Sequence, residues 1–135
     1  MSGPLAVEPV IQKAGMDCGA ACLAMYLSIP YRQVSDAAMA IVPDFLNAGI
    51  TRNELKNIAA KLGYDLERTR KFTSTNDGVL FLQHRKDFHW VLLFNGSIIN
   101  PSDGLVWVPE AYFNKTHFRP ITLMRTVEVD SPPKL

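Results

Sequence analysis

The hydrophobic pattern of this chain changes period once, near Gly63, and that change restricts the folds open to it. Before Gly63, apolar residues recur at helical spacing; after it, short apolar runs are separated by turn residues. Helices gathered first and strands gathered afterwards predict an α+β fold, with N-terminal helices packed on a C-terminal antiparallel sheet. A length of 135 residues, 47% of them hydrophobic and 20% charged, fits a single domain whose core spans about residues 8–128, with a frayed tail at 131–135. No repeat or low-complexity tract divides it.

Three helices are expected in the first half. The run from Asp17 to Leu27 is apolar nearly all round, with Asp17 available as an N-cap and Pro30 as a stop, which predicts a buried central helix. A second helix is expected over about Tyr31–Ile41. The third begins at Thr51-Arg52-Asn53-Glu54, which has the form of a capping box. Leu55, Ile58, Ala59 and Leu62 then make one apolar stripe, and Gly63 closes the helix.

Strands are expected at 79–83, 88–94, 97–100, 105–108 and 121–129, with a short helix near Pro109–Asn114. Phe94-Asn95-Gly96-Ser97 is the most informative turn, because Asn-Gly between two apolar runs favours a two-residue type I′ hairpin. That turn pairs Phe94 with Ser97, Leu92 with Ile99 and Val91 with Asn100. Side chains alternate along a strand, so His89, Val91 and Asn100 share one face, and His89 and Asn100 are diagonal neighbours.

Fourteen Lys and Arg against thirteen Asp and Glu give a net charge of +1, so no overall field draws the chain to nucleic acid or to anionic lipid. Two cysteines, Cys18 and Cys22, are too few for a disulfide framework and do not match zinc spacing. No cofactor is implied. The N-terminus lacks the apolar run of a secretory signal, and no stretch approaches the ~20 apolar residues of a membrane span. The chain reads as cytoplasmic, with export by another route left open and the oligomeric state unspecified.

Cys18 falls in the first turn of the first helix, where orphan N–H groups and the helix dipole favour a thiolate. A thiolate attacking a carbonyl needs a base, a group that orients the base, and donors for the developing oxyanion. His89, Asn100 and Gln12 are of the right types, and Asp103 is the reserve for orienting His89. Cys22 reads as core packing, His84 as solvated, His117 as part of a turn before the last strand, and Trp90 and Trp107 as core or groove walls. Segments 43–49 and 71–78 are the candidate cleft loops.

These residues carry a family resemblance. The run Gln12-Lys13-Ala14-Gly15-Met16-Asp17-Cys18-Gly19-Ala20-Ala21 comes first, then Gly49-Ile50-Thr51 leading to Leu55 and Ala59–Gly63. With His89-Trp90-Val91-Leu92-Leu93 and Asn100-Pro101, they resemble the papain-like peptidases that process bacteriocin leaders at double-glycine sites. The similarity spans about residues 10–115. It implies a papain-like fold in a bacterial cysteine peptidase, with Cys18 as nucleophile and His89 as general base and acid. It further implies Asn100 as the residue orienting His89, Gln12 in the oxyanion hole, and an extended peptide or protein as substrate. Leader peptidases generally carry Asp where this chain has Asn100, whereas papain has Asn, and they are usually fused to a transporter. The leading reading is hydrolysis of a peptide or isopeptide bond; its rivals are a catalytically inactive peptide-binding module, and a deamidase or acyltransferase acting as a toxin or effector.

Overall fold

In the computed structural model, which describes residues 17–127, the alanine-rich run Cys18–Leu27 forms α1, with every residue from Cys18 to Met25 buried. A helix without a polar face belongs in the middle of a core. It ends at Ser28, which adopts a left-handed conformation (φ 57°), and Pro30 then sits at the N-cap of α2 (Tyr31–Ile41). Asp17 occupies the N-cap position of α1 but makes no capping bond. Its φ of −97° and ψ of 21° do not aim the side chain at the first amides, and its fully buried carboxylate accepts a hydrogen bond from the Tyr31 hydroxyl instead. The expected cap is therefore a tie between α1 and α2.

A four-residue helix that the sequence pattern did not predict, α3 (Phe45–Ala48), follows, with Phe45 wholly buried in segment 43–49. The capping box forms as expected at the start of α4 (Arg52–Lys61). Glu54 N–H donates to Thr51 Oγ1 at 3.2 Å, and Thr51 N–H donates to Glu54 Oε1 at 2.8 Å. Leu55, Ile58 and Ala59 face the core, Leu62 packs at its margin, and Gly63 turns the chain with φ 95°.

Six strands follow in one sheet, broken by α5 (Pro109–Thr116). They are β1 (Leu66–Thr69), β2 (Gly78–His84), β3 (Asp87–Phe94), β4 (Ser97–Ile99), β5 (Val106–Trp107) and β6 (Arg119–Thr126). The spatial order is β1-β6-β2-β3-β4-β5 and every pairing is antiparallel, so the fold is α+β. β1 was not anticipated, and the part of the expected last strand beyond residue 127 lies outside the described residues.

Alternation along the strands divides the core. Val79, Phe81, Trp90, Leu92, Ile99 and Met124 face the helical layer of α1, α2 and α4. Leu80, Leu82, Val91, Leu93, Ile98 and Leu123 face the other way, onto Tyr112 of α5. The sheet is therefore covered on both faces, with Phe72, Thr73 and Ser74 of segment 71–78 on the α5 side, where they line a cavity with Phe113.

Gly78, at the start of β2, has no space for a side chain: a Cβ there would lie 2.6 Å from the Met124 carbonyl oxygen. Backbone cannot swing aside as a flexible side chain does. Gly78→Ala is expected to lower unfolding free energy by about 1–3 kcal/mol in a urea titration; an unchanged midpoint would show that β6 yields without cost.

Candidate active site

The turn between β3 and β4 sets the position of His89. Asn95 and Gly96 both have positive φ (51° and 78°), as a type I′ turn requires, and Phe94 pairs with Ser97 and Leu92 with Ile99. The expected Val91–Asn100 pair does not form. Asn100 N–H donates to the Leu105 carbonyl at 3.0 Å, and Gly104 N–H donates to the Asn100 carbonyl at 2.7 Å. Asn100 thus opens a tight turn, and the His89–Val91 stretch of β3 has no β4 partner beside it.

The side chains nevertheless meet, with His89 Nε2 2.9 Å from Asn100 Oδ1. Ser102 N–H also points at that atom, at 3.3 Å, and a backbone amide can only donate. The atom facing both groups is therefore the amide oxygen, and Nε2 carries the imidazole proton. That leaves Nδ1 with its lone pair available as a base. Asp103, the reserve candidate, is placed differently: its Oδ1 accepts from Leu105 N–H at 2.9 Å, and its charge favours the protonated form of His89. Phe118 stacks on the imidazole, with ring centroids 5.7 Å apart and planes 28° apart.

Cys18, the first residue of α1, is 8% exposed. The backbone N–H groups of Trp90 and Gly19 face its sulfur, so the start of α1 sits against the strand residue that follows His89. Trp90 fixes this junction. Its Nε1 donates to the Ile50 carbonyl at 3.0 Å, and its ring lies so close to α1 that a Cβ on Gly19 would meet Cδ1 at 3.0 Å.

The electrostatics differ from those expected of a helix start. Burial pushes the Cys18 thiol above its ordinary value and the neighbouring Asp17 charge adds to the rise, outweighing the amides of Trp90 and Gly19. Burial likewise holds the His89 imidazole below its usual value, although the Asn100 bond and the Asp103 charge favour its protonated form. Both shifts therefore favour the uncharged form of the group.

Gln12 lies outside the described residues. Cys22 is fully buried within α1, and its thiol is pushed well up by burial, which matches a packing role. His84 is half-buried rather than solvated, its ring 6.1 Å from that of His117 and 6.2 Å from that of Phe118. His117 caps α5 in a left-handed turn before β6. Among the described residues, no group of three or more His, Cys, Asp or Glu could hold a metal ion, and no helix is long and apolar enough to cross a membrane. Sequence reasoning missed the Phe118 ring on His89; 29 residues separate the two, and no local pattern signals the contact.

Replacing Asn100 with Asp would set a carboxylate against Nε2–H and favour the imidazolium. The His89 pKa is expected to rise by roughly 1–3 units in an imidazole NMR titration of Asn100→Asp. A fall, or no change, would show that residue 100 does not govern His89.

A comparison with curated proteins finds no match. Residues 6–127 match the family model described as the Peptidase C39 family, covering most of the chain. The site accordingly sits in a papain-like α+β fold, and the chain belongs to the Peptidase C39 family, the bacteriocin-processing cysteine peptidases.

Proposed function

We propose that this chain is an active cysteine peptidase that hydrolyses a peptide bond in an extended polypeptide, with Cys18 as nucleophile, His89 as general base and acid, and Asn100 orienting His89. The observation that carries this reading is the His89–Asn100 hydrogen bond, because it leaves Nδ1 as the basic atom of a neutral ring. The amide of the next residue, Trp90, faces the Cys18 sulfur. Base and nucleophile thus belong to one junction of strand and helix.

In the proposed reaction, Nδ1 of His89 takes the thiol proton as the sulfur attacks the carbonyl carbon, so the thiolate forms during attack rather than before it. Negative charge builds on the carbonyl oxygen. The Cys18 N–H, an orphan amide in the first turn of α1, and the Gln12 side-chain amide are its proposed donors. The imidazolium then gives its proton to the departing amine, leaving a thioester on Cys18. A water deprotonated by His89 attacks the thioester, releasing the acid and restoring the thiol.

The family resemblance makes a double-glycine site the first substrate to test. No feature of the described residues favours a module that holds peptide without cleaving it, or deamidation or acyl transfer.

With fluorogenic Gly-Gly peptides, Cys18→Ala is expected to abolish turnover and keep its melting temperature. His89→Ala should lose ~10²–10⁴-fold in kcat. Gly19→Ala, which pushes Trp90 away from the start of α1, should lose about 10–100-fold through misplacement alone. Activity should fall as pH drops through the His89 pKa, since a protonated Nδ1 accepts nothing, and this limb should lie below the ordinary imidazole value of about 6.5. Cleavage surviving in Cys18→Ala would overturn the assignment; a gain of about one dalton on intact peptide would replace it with deamidation.

A further inference from the structure

The two edges of the sheet are built differently. β1 ends the sheet on one side and carries Glu67 and Arg68, charges of the kind that keep an edge strand from pairing with another chain. β5 ends it on the other, and from Gly104 to Val108 the chain reads Gly-Leu-Val-Trp-Val, with no charge and no proline. Leu105 is 55% exposed, Val106 48% and Val108 67%, three of the seven large apolar side chains that stand exposed among the described residues.

Backbone as well as side chains is open on this edge. Ile98 pairs with Trp107 and Ile99 with Val106, and the bond from Asn100 N–H to the Leu105 carbonyl continues the ladder by one step. Hydrogen bonding alternates along an antiparallel pair. Leu105 turns its carbonyl toward β4 and Trp107 is in the same phase, so Val106 presents its N–H and C=O outward, where the sheet has no further strand.

This edge adjoins the catalytic residues. Leu105 lies opposite Asn100, so its side chain shares the face of Asn100 and His89, on the α5 side of the sheet. The order across that face is His89, Asn100, Leu105. In the proposed reaction His89 gives its proton to the departing amine, so the polypeptide after the cleaved bond leaves over the imidazole while the acyl half stays on Cys18. Asn100 and Leu105 are the groups next outward.

Area decides between occupants. A stable interface between two copies of the chain buries ~800 Å² on each partner, which three part-exposed aliphatic side chains and one outward peptide group do not approach. A peptide segment already tethered at the active site needs far less, because its second contact is intramolecular.

We infer that the open edge of β5 binds an apolar segment of the substrate on the leaving side of the cleaved bond, added to the sheet as a further short strand through Val106, with a flanking side chain on Leu105. The inference rests on the peptidase reading above. Two strand spacings across the sheet and two to three residues along it separate Leu105 and Val106 from His89. That is ~12–14 Å, which an extended chain spans in about four residues. The apolar segment should therefore begin about three to five residues after the bond that is cut.

The test uses fluorescein-labelled peptides with a constant acyl half ending in Gly-Gly, and with Val or Asp placed in turn about two to seven residues after it. Binding is read by anisotropy with Cys18→Ala, and cleavage with the wild type. In one window of positions the Val peptide is expected to bind about tenfold more tightly than its Asp counterpart, and N-methylation of the backbone amide that pairs with Val106 should remove the gain. The double variant Leu105→Lys/Val106→Lys, at two exposed positions and checked for folding by circular dichroism, should reverse the preference to Asp.

Equal binding of Val and Asp peptides at every position overturns the docking edge, as does a Val preference that survives N-methylation throughout the window or survives the double variant. Cleavage with no such preference does the same and leaves the peptidase reading intact. A Val preference in binding without wild-type cleavage upholds the docking edge and refutes the peptidase reading. Sedimentation as a dimer that the double variant abolishes would assign the edge to a second copy and overturn the proposal.

Discussion

The indole of Trp90 is wedged between the first turn of α1 and the loop before α4, and the meeting of helices and sheet depends on it. Its Nε1 holds the Ile50 carbonyl, its ring closes against Gly19, and its backbone N–H faces the Cys18 sulfur. One residue therefore joins three segments far apart in sequence. It does so where β4 has ended and β3 has a bare edge, which is why the start of a helix can approach strand backbone there. Gly19 is the complement of Trp90, since any side chain at that position would push the ring, and with it the strand carrying His89, away from the nucleophile.

Burial is what makes this junction selective in its chemistry. Taking a thiol and an imidazole out of water favours the uncharged form of each, and here that effect exceeds the pull of the amides of Trp90, Gly19 and Cys18 on the sulfur and of Asn100 on the ring. A neutral His89 is a competent base, and a thiol held against strand backbone is kept from indiscriminate reaction. The Asp17 carboxylate, tied to the Tyr31 hydroxyl rather than capping α1, adds to the same effect on Cys18.

Much of this was legible in local pattern. The capping box at Thr51, the apolar run of α1 and the Asn95-Gly96 turn each depend on residues within a few positions of one another, and each formed. The turn carries most information, because a two-residue loop fixes register and register puts His89 beside Asn100. What local pattern did not hold was set by distant partners. β1 has only Leu66 fully buried and forms because β6 returns 60 residues later to pair with it. α3 is four residues long, below the reach of periodicity, and is anchored by Phe45. Asp17 looked like a cap and instead found Tyr31 on the next helix. Asn100 looked like a strand residue and instead starts a turn, closed by Leu105 and Gly104. The pull toward a thiolate expected at a helix start is present but opposed by burial, since the depth of Cys18 follows from packing and not from its place on α1.

The central claim, that Cys18 and His89 act as one pair that rests uncharged, is tested most directly by the pH dependence of Cys18 alkylation by iodoacetamide. Mass spectrometry reads the labelling in the wild type and in His89→Ala, with the fully buried Cys22 as internal control. The account predicts two steps in the wild type. His89-assisted labelling should fade as pH falls through an imidazole pKa below the usual ~6.5, and a further rise should appear above the ordinary thiol value of ~8.5 as the sulfur itself ionises. His89→Ala should lose the lower step and keep the upper one. A single thiol titration, identical in both proteins, would contradict the pair; fast labelling that persists undiminished to acid pH would contradict its neutral resting state.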